Sequence, residues 1–393
     1  MPCLDTRLNS LYLSRVVSED LQMNPSRSFR PIKRIRGFAR KALKQIVAFS
    51  VAAGIIRRNN ADRVMDSIRA LIRNMGRLDV LRNYTPLSLI TMPLEPSHFA
   101  IGLTGFCNLK CPFCPLTIME NAEGASSASV RYMQDETLIR CLDQAATLGI
   151  SGVVFTFFGD ALLHPRILDF IREAKQRNMQ VSLHTNGNIM TQERARMLIE
   201  SGIDKIFFSI DAMTPAVYTE LRPGGNIERV KSNFQTLRNE IDKRNSSTRL
   251  GILCVAQPQY QDEWKRVLGE LGAIADFAVV SDMGVWTEDD SVKPRYTSCK
   301  QPWSVIAIYP DGDVSLCCAD AGKNLAIGNI NNESLLNIWH GRKAQQIRSH
   351  LMRLRGASVP DICSTCRTLS NCPTMEEIRS ILPAATEADR VTW

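Results

Sequence analysis

The chain has 393 residues, of which 44% are hydrophobic and 22% are charged. This length and composition are typical of a globular protein with two or three domains and a sizeable core. The net charge is +8, but residues 1–94 hold 17 Lys and Arg against 6 Asp and Glu, so the remaining body is mildly acidic. An acidic body argues against nucleic acid as a substrate, because a basic groove would be expected to bind it.

Residues 1–94 look like a basic extension. From Pro31 to Asn83 the apolar residues recur at helix spacing, with basic residues between them. The apolar run from Ile46 to Ile56 is shorter than the roughly 20 residues that span a bilayer. For residues 33–58 the pattern leaves three interpretations open: helices that pack on the body, a basic amphipathic helix on an anionic membrane surface, or an arm that docks a protein. A mitochondrial presequence is disfavoured by the acidic residues.

The body begins near Glu95 and alternates strand and helix, which predicts parallel strands curled into an open barrel whose carboxyl ends carry function. The predicted strands are Phe99–Leu103, Gly152–Phe158, Gln180–His184, Lys205–Ile210, Arg249–Ala256 and Phe277–Val280. The predicted helices are Asp135–Leu148, with Asp135 as its cap, Arg166–Arg177, Gln192–Ser201, Ile227–Asp242 and Glu263–Leu271.

Nine of the twelve cysteines lie in two groups, three near residue 110 and six from residue 299 to 372. Disulfides are disfavoured, because no secretory signal is recognisable and a chain of this size folds without them. We therefore expect a reducing, cytosolic setting, with peripheral membrane contact as an option for the basic extension. The clustering itself indicates metal binding.

The first group, Cys107, Cys111 and Cys114, follows the first predicted strand. Three thiols in one loop suit an iron–sulfur cube with one iron left open to a substrate or cofactor. A structural zinc ion usually has four protein ligands, and this loop supplies only three.

The second group surrounds a predicted hairpin, Val305–Tyr309 with Val314–Leu316, which is followed by helices at Glu333–His340 and up to Arg355. A second iron–sulfur cluster is favoured here, and a zinc ribbon is the alternative.

The spacing Cys107-x-x-x-Cys111-x-x-Cys114, with Phe113 before the last cysteine, resembles the signature of radical S-adenosylmethionine (radical SAM) enzymes. Phe158-Gly159-Asp160 is similar to the family's Gly-Gly-Glu stretch, with Phe for the first Gly and Asp for Glu. Further stretches that resemble the family's core, in the expected order, are Thr185-Asn186-Gly187, Ser209-Ile210-Asp211 and Tyr218 to Gly225. The cysteines from 299 to 372 resemble the C-terminal SPASM or shorter twitch extension, although Glu376 stands where the longer pattern has another cysteine.

The resemblance implies an α/β fold: a partial (β/α)6 barrel over residues 95–290, a small cysteine-rich α+β domain over 291–385, and the helical basic extension over 1–94. It implies a [4Fe-4S] cluster on Cys107, Cys111 and Cys114 that binds S-adenosylmethionine. One auxiliary [4Fe-4S] cluster is also expected. Its implied ligands are Cys299, Cys317, Cys363 and Cys366, with Cys318 and Cys372 as alternatives.

The same resemblance assigns roles around S-adenosylmethionine. Asp160, beside Gly159, suits the methionine ammonium, and Arg222 or Ser209 suits its carboxylate. Asn186 and Asp211 suit the ribose hydroxyls, and the backbone around Phe113 suits adenine. Asn186-Gly187 is also an ordinary turn, and Asp211 an ordinary helix cap.

The implied reaction is reductive cleavage of S-adenosylmethionine to a 5′-deoxyadenosyl radical that takes a hydrogen from a substrate. Oxidation follows if the auxiliary cluster accepts an electron, and epimerisation follows if a thiol returns a hydrogen. Cys254 is a candidate donor, or else a packing residue. His164 or His184 is a candidate general base, and His164 is equally a structural part of its loop.

The expected substrate is a small molecule or a carbohydrate, and a peptide or protein is the alternative. The expected electron donor is a protein such as flavodoxin or ferredoxin. A non-catalytic iron–sulfur scaffold is disfavoured, because the residues that resemble a cofactor site would then have no role.

Overall fold

The computed structural model describes residues 96, 98–123, 130–260, 262–282, 301–351 and 363. Its strands are β1 His98–Ile101, β2 Gly152–Phe155, β3 Gln180–Thr185, β4 Lys205–Ser209, β5 Arg249–Ala256, β6 Phe277–Asp282, β7 Val305–Ile308, β8 Asp313–Ser315 and β9 Ala326–Asn329. Its α-helices are α1 Pro115–Glu123, α2 Asp135–Thr147, α3 Ile167–Gln176, α4 Gln192–Glu200, α5 Pro215–Leu221, α6 Ile227–Lys243, α7 Glu263–Leu271, α8 Gln301–Ser304, α9 Leu335–Trp339 and α10 Arg342–Leu351.

All nine strands form one sheet, in the order β6-β5-β4-β3-β2-β1-β7-β8-β9. Strands β1 to β6 are parallel neighbours in chain order, which confirms the predicted open barrel. β7 pairs in parallel with β1, and β8 and β9 continue the sheet antiparallel. The region after residue 300 therefore extends the same sheet that carries the first cysteine loop.

The two faces of the sheet carry different side chains, because successive residues of a strand point to opposite sides. Leu183, Phe208 and Ile252 lie in the large apolar core with the helices. Phe207 lies on the other face, the interior of the partial barrel, in a cluster with Phe277 and Val279. This alternation decides which polar residues reach the interior.

Helix α6 shows how the sequence defines an element. Asn226 is its N-cap, and its side chain accepts from the backbone N–H of Arg229. Its buried apolar residues recur three or four positions apart, which places one stripe against the sheet. They are Ile227, Val230, Phe234, Leu237 and Ile241. The predicted helix, Ile227–Asp242, ends one residue before the observed helix does.

Several details differ from the predictions. Helices α1, α5 and α8 and strand β9 were not expected, although α1 and α5 each begin with a proline, a residue favoured at the first helical position. Asp135 is the first residue of α2, and Gln134 is its N-cap. The alternative that made Asp211 a cap is also wrong, because Thr214 is the N-cap of α5.

Several predictions fall outside the described residues. These include the basic extension, the boundary at residues 290 and 291, and the segment from 364 to the end, so the domain boundaries stay predictions. Within the described part of the chain, no helix combines the length and the apolar character that crossing a membrane requires.

Candidate functional site

The loop after β1 is held at both ends by backbone hydrogen bonds. Gly105 N–H donates to the carbonyl of Arg131 at 3.0 Å, and Lys110 N–H donates to that of Pro223 at 3.1 Å. Cys114 N–H closes a tight turn on the carbonyl of Cys111 at 3.0 Å, just before α1. The loop is therefore fixed against the segment that follows α5.

Two N–H groups point at the sulfur of Cys107. Leu109 N lies 3.4 Å from it and Asn186 Nδ2 lies 3.7 Å from it. Hydrogen-bond donors around a sulfur favour the thiolate, the form that binds metal.

Burial raises the pKa of all three thiols in the loop. The pKa of Cys107 rises to about 12, chiefly by burial and further by the carboxylate of Asp160. The pKa of Cys111 rises to about 11, because burial outweighs the attraction of the Arg222 guanidinium. The pKa of Cys114 also rises through burial. Without a bound cation these thiols hold their protons, so binding of a metal centre would release them.

The turn after β2 approaches the cysteine loop so closely that only glycine fits at residue 159. Gly159 has φ +89°, and a Cβ there would lie 2.4 Å from Thr104 Oγ1 and 2.5 Å from the carbonyl oxygen of Phe106. The glycine of the Phe158-Gly159-Asp160 stretch thus sets the distance between the two loops.

We expect the substitution Gly159→Ala to displace the cysteine loop and to lower iron retention at least several-fold. The matched control is Gly149→Ala, because Gly149 also has a positive φ, +77°, but a Cβ there would have no atom of the described residues within 4 Å. Both variants carry the backbone strain of a non-glycine residue, of order 1 kcal/mol or more. Iron analysis after anaerobic reconstitution separates the two, and equal iron content in both would contradict the role of the close contact.

Asp160 is 2% exposed, and its carboxylate is surrounded by donors of the protein itself. Oδ1 accepts from Leu162 N at 3.0 Å, Oδ2 accepts from Asn186 N at 2.8 Å, and the hydroxyl of Thr185 lies within 3.1 Å of both oxygens. This side chain ties the end of β2 to the end of β3.

Asn186 continues this connection to the cysteine loop. Its Nδ2 donates to Asn108 Oδ1 at 2.8 Å as well as facing Cys107 Sγ. Its Oδ1 accepts from Asn188 N at 3.0 Å, so the predicted turn is present and the side chain also reaches the cysteines.

Asp211 and Arg222 form a buried ion pair beside the loop. Asp211 Oδ2 accepts from Arg222 Nε at 2.8 Å and Nη2 at 2.6 Å, and the two side chains are 0% and 8% exposed. Asp211 Oδ1 also accepts from Val255 N at 2.8 Å, which links the ends of β4 and β5. The pair places a positive charge near Cys111, and the Asp211 carboxylate raises the pKa of Arg222 against the effect of burial.

The comparisons with known proteins agree with this geometry. Residues 101–262 match the model of the radical SAM superfamily, and residues 299–367 match that of the SPASM iron–sulfur cluster-binding domain. The chain therefore carries a radical SAM domain followed by a SPASM domain. Both families use [4Fe-4S] clusters, and the first also uses S-adenosylmethionine.

Two curated relatives illustrate the range of radical SAM reactions. The S-adenosyl-L-methionine-dependent 2-deoxy-scyllo-inosamine dehydrogenase of Niallia circulans is 24% identical over 70% of this chain and 94% of its own. The GTP 3′,8-cyclase of Limosilactobacillus fermentum is 30% identical over 35% of this chain and 41% of its own. The chain spans about half the length of the curated relatives it matches first. It covers 51% of the tungsten-containing aldehyde ferredoxin oxidoreductase cofactor-modifying protein of Pyrococcus furiosus and 41% of the GTP 3′,8-cyclase.

Among solved structures, Streptococcus suis SuiB bound to its precursor peptide SuiA has the same fold. The TM-score is 0.56, at 14% identity over 79% of this chain and 81% of SuiB. At this identity the likeness bears on the fold alone.

The donor set of the radical SAM loop fits a cluster with three cysteine ligands. The loop offers three thiols, two N–H donors to one of them and a nearby guanidinium. Among the described residues, no three Cys, His, Asp or Glu side chains converge on a point that one metal ion could fill. A cube, in contrast, contains four irons over which its thiolate ligands are spread.

Ser209 and Phe113 are two further predicted residues of the radical SAM domain. Ser209 is the last residue of β4. Because successive residues of a strand point to opposite faces, Ser209 lies on the same interior face as Phe207, opposite buried Phe208. Phe113 is half-buried and packs against the main core. The structure places both beside the elements that carry Asp211 and the cysteines.

Cys254 lies on the opposite face from the barrel interior. Its side chain is 0% exposed and belongs to the core on the helix side, with Leu250 and Ile252. Sequence could not show the face, because a shift of one residue in a strand exchanges the two. The hydrogen-donor role finds no support in this position, and packing explains the residue.

The two candidate bases are in different settings. His164 Nδ1 accepts from Arg166 N at 3.1 Å and Nε2 faces the carbonyl of Met133 at 3.1 Å, so the ring is a structural part of its loop. His184 alternates with Leu183 and lies against Phe207 on the interior face, with Nδ1 3.0 Å from Thr156 Oγ1. Burial lowers the pKa of His184 to about 3, so this ring is neutral at physiological pH.

In the SPASM domain, Asp320 organises the loop that carries Cys317 and Cys318. Its Oδ2 accepts from Ser315 Oγ at 3.0 Å and from Leu325 N at 2.7 Å. Cys317 Sγ accepts from Ala319 N at 3.4 Å, whereas Cys318 Sγ lies 3.9 Å from Gln301 Oε1. Cys363 is half-buried. The other predicted ligands, Cys299, Cys366 and Cys372, lie outside the described residues.

Sequence analysis missed one polar residue at the carboxyl end of β5. Gln257 is 2% exposed, and neither its Oε1 nor its Nε2 has a hydrogen-bond partner among the residues that the structure describes. A buried amide without partners is costly, so it is a candidate to bind a ligand. Its only sequence signal is its place after a barrel strand.

Proposed function

We propose that this enzyme cleaves S-adenosylmethionine reductively and removes a hydrogen from a small molecule or carbohydrate, which it then oxidises. One observation carries the proposal: three thiols, one buried and two half-buried, on a single loop at the carboxyl end of β1, with N–H donors aimed at Cys107 and the Arg222 cation beside Cys111. When bound there, a [4Fe-4S] cluster would supply the electron that splits the cofactor into methionine and a 5′-deoxyadenosyl radical.

Around the cofactor the chain's residues would bind and orient. Asp211 holds the guanidinium of Arg222 through Nε and Nη2 and so fixes its orientation. The guanidinium would bind the carboxylate of the cofactor. The contact proposed between Asp160 and the methionine ammonium requires a carboxylate oxygen to exchange one of its present protein donors. In this structure Asp160 instead positions Asn186. Ser209 remains the alternative partner for the carboxylate, Asn186 and Asp211 remain the proposed partners of the ribose, and the backbone at Phe113 remains the proposed partner of adenine.

We expect Asn186→Ala to make the reduction potential of the first cluster more negative, because it removes an N–H donor from the ligating sulfur of Cys107. The matched control is Asn233→Ala. Asn233 Nδ2 donates to the carbonyl of Gly187 at 2.8 Å and so supports the same turn without facing a sulfur. Redox titration followed by electron paramagnetic resonance measures both, and an unchanged potential in the Asn186 variant would contradict the assignment.

Oxidation of a small molecule is preferred because the dehydrogenase relative is matched over 94% of its own length. The peptide-bound SuiB structure shares only the fold with this chain. Modification of a peptide is therefore the second candidate. Incubation of each candidate substrate with the reduced enzyme separates the outcomes by mass spectrometry: a loss of two hydrogens indicates oxidation, and deuterium uptake from solvent with no change in oxidation state indicates epimerisation.

We further propose one auxiliary [4Fe-4S] cluster on Cys299, Cys317, Cys363 and Cys366. The contact of Cys318 with Gln301 supports leaving Cys318 out of the set. Anaerobic reconstitution should then give about eight irons per chain, two cubes in all. About four irons would remove the auxiliary cluster, and zinc in its place would make the SPASM region a zinc ribbon.

A further inference from the structure

A cavity of about 250 Å³ lies between the first cysteine loop and the β7–β8 hairpin. Thr104, Leu116 and Met119 form its wall on the cysteine side, and Asp311 and Lys323 form its wall on the hairpin side. Its volume is below the roughly 300–1,000 Å³ of pockets for drug-sized ligands, so it suits a single ring rather than a nucleotide.

Aromatic rings form one side of the cavity. The ring of Phe157 lies 4.3 Å from that of Phe158 and 4.8 Å from that of Tyr309. Tyr309 is fixed from behind, since its hydroxyl donates to the backbone carbonyl of Asp320. The rings are inclined to one another, and together they form a pre-formed aromatic wall whose exposed ring faces suit the C–H face of a sugar or cyclitol ring.

The backbone at Phe157 is unfavourable and yet retained. Phe157 has φ +104°, in a region that side-chain-bearing residues rarely adopt. Such conformations concentrate at ligand sites, where the surrounding contacts hold them. Here the conformation brings the Phe157 ring to the cavity wall.

The charged groups that line the cavity are paired with each other. Lys323 is the one cation among the described residues that line it, and its Nζ bonds to the carboxylates of Asp311 and Asp313, the latter at 2.8 Å. An anionic ligand would have to compete with two carboxylates for this cation. An amine, in contrast, could pair with the carboxylate of Asp311.

We propose that this cavity binds the substrate ring, and that the substrate is a neutral or amine-bearing polyhydroxylated ring without a phosphate. The inference deepens the proposed function, because it names the class of molecule that is oxidised. Binding itself does not depend on the radical reaction, so the two can fail separately.

The test uses three probes of one ring: D-glucosamine, D-glucose and D-glucose 6-phosphate. Binding to the anaerobically reconstituted enzyme is measured by saturation-transfer NMR titration. We expect glucosamine to bind at least threefold more tightly than glucose, and glucose 6-phosphate to bind most weakly. Tightest binding of glucose 6-phosphate, or no saturable binding of any probe, would overturn the proposal.

Variants locate the binding in this cavity. Phe158→Leu should weaken glucosamine binding at least fivefold, whereas Phe158→Tyr, which keeps the aromatic face, should not. Asp311→Asn should reduce the preference for glucosamine over glucose at least twofold. The control for Asp311→Asn is Asp169→Asn. This variant removes a carboxylate from an exposed ion pair with Arg166 outside the cavity and should leave the preference unchanged. Equal binding by Phe158→Leu and the wild type would place the probes elsewhere and overturn the proposal.

The outcomes distinguish the two levels of inference. If the probes bind in the expected order but the reduced enzyme forms no 5′-deoxyadenosine, the proposed function fails and the binding site stands. If 5′-deoxyadenosine forms but the order of binding is reversed, the substrate class fails and the proposed function stands.

Discussion

Cys111→Ser is expected to remove the first cluster and, with it, all detectable cleavage of S-adenosylmethionine. Cys111 is 8% exposed and lies near Cys114 and the Arg222 guanidinium. A serine oxygen is a poor substitute for a thiolate at iron. We expect the iron content to fall by about four per chain, one cube, while the auxiliary cluster remains.

The control for this experiment is Cys141→Ala. Cys141 is fully buried in α2 among apolar side chains and has no place in either cysteine group. Its loss leaves at most a small cavity and should leave the iron content unchanged. Iron and sulfide analysis, together with quantification of 5′-deoxyadenosine, measures both variants. Full iron content in the Cys111 variant, or equal loss in both, would contradict the ligand assignment.

Arg222→Met is expected to be among the most destabilising single changes in the barrel, by about 3–5 kcal/mol, because it leaves the buried Asp211 carboxylate without its cation. The Asp211 side chain is 0% exposed, and it also holds the N–H of Val255, so its disturbance reaches two strands. Adding Asp211→Asn to Arg222→Met removes the unpaired charge and should recover part of the loss.

An exposed ion pair provides the comparison. Arg196 and Glu200 are 46% and 48% exposed and lie 3.6 Å apart on α4, and pairs of this kind contribute at most about 1 kcal/mol. Thermal unfolding under anaerobic conditions should therefore show a large shift for Arg222→Met, a smaller shift for the double variant and almost none for Arg196→Met. Equal shifts for Arg222→Met and Arg196→Met would show that the buried pair adds no stability.

Much of the fold could be predicted because its elements repeat. Strand β5 and helix α7 were placed to the residue, since each has a regular apolar pattern with turn residues at its ends. Helices α1 and α5 were missed because their short apolar patterns lie inside stretches that read as loops. The pairing of β7 with β1 is a contact between distant parts of the chain, and no local pattern reports it.

The cysteine loop was identified from spacing alone, because ligands from one loop must be close in sequence. The partners of Asp160 were not predictable, since they come from Leu162 and from β3 through Thr185 and Asn186. The face on which Cys254 lies, in the core on the helix side of its strand, could not be predicted from its apolar neighbours in the sequence. Gln257 could be recognised only from the structure, in which its buried amide has no hydrogen-bond partner among the described residues.

The most direct measurement is anaerobic incubation of the reconstituted enzyme with S-adenosylmethionine and dithionite, followed by quantification of the products. If Cys107, Cys111 and Cys114 hold the cluster that reduces the cofactor, methionine and 5′-deoxyadenosine will form in equal amounts. Intact S-adenosylmethionine after reduction of a fully loaded enzyme, or S-adenosylhomocysteine as the sole product, would contradict the assignment.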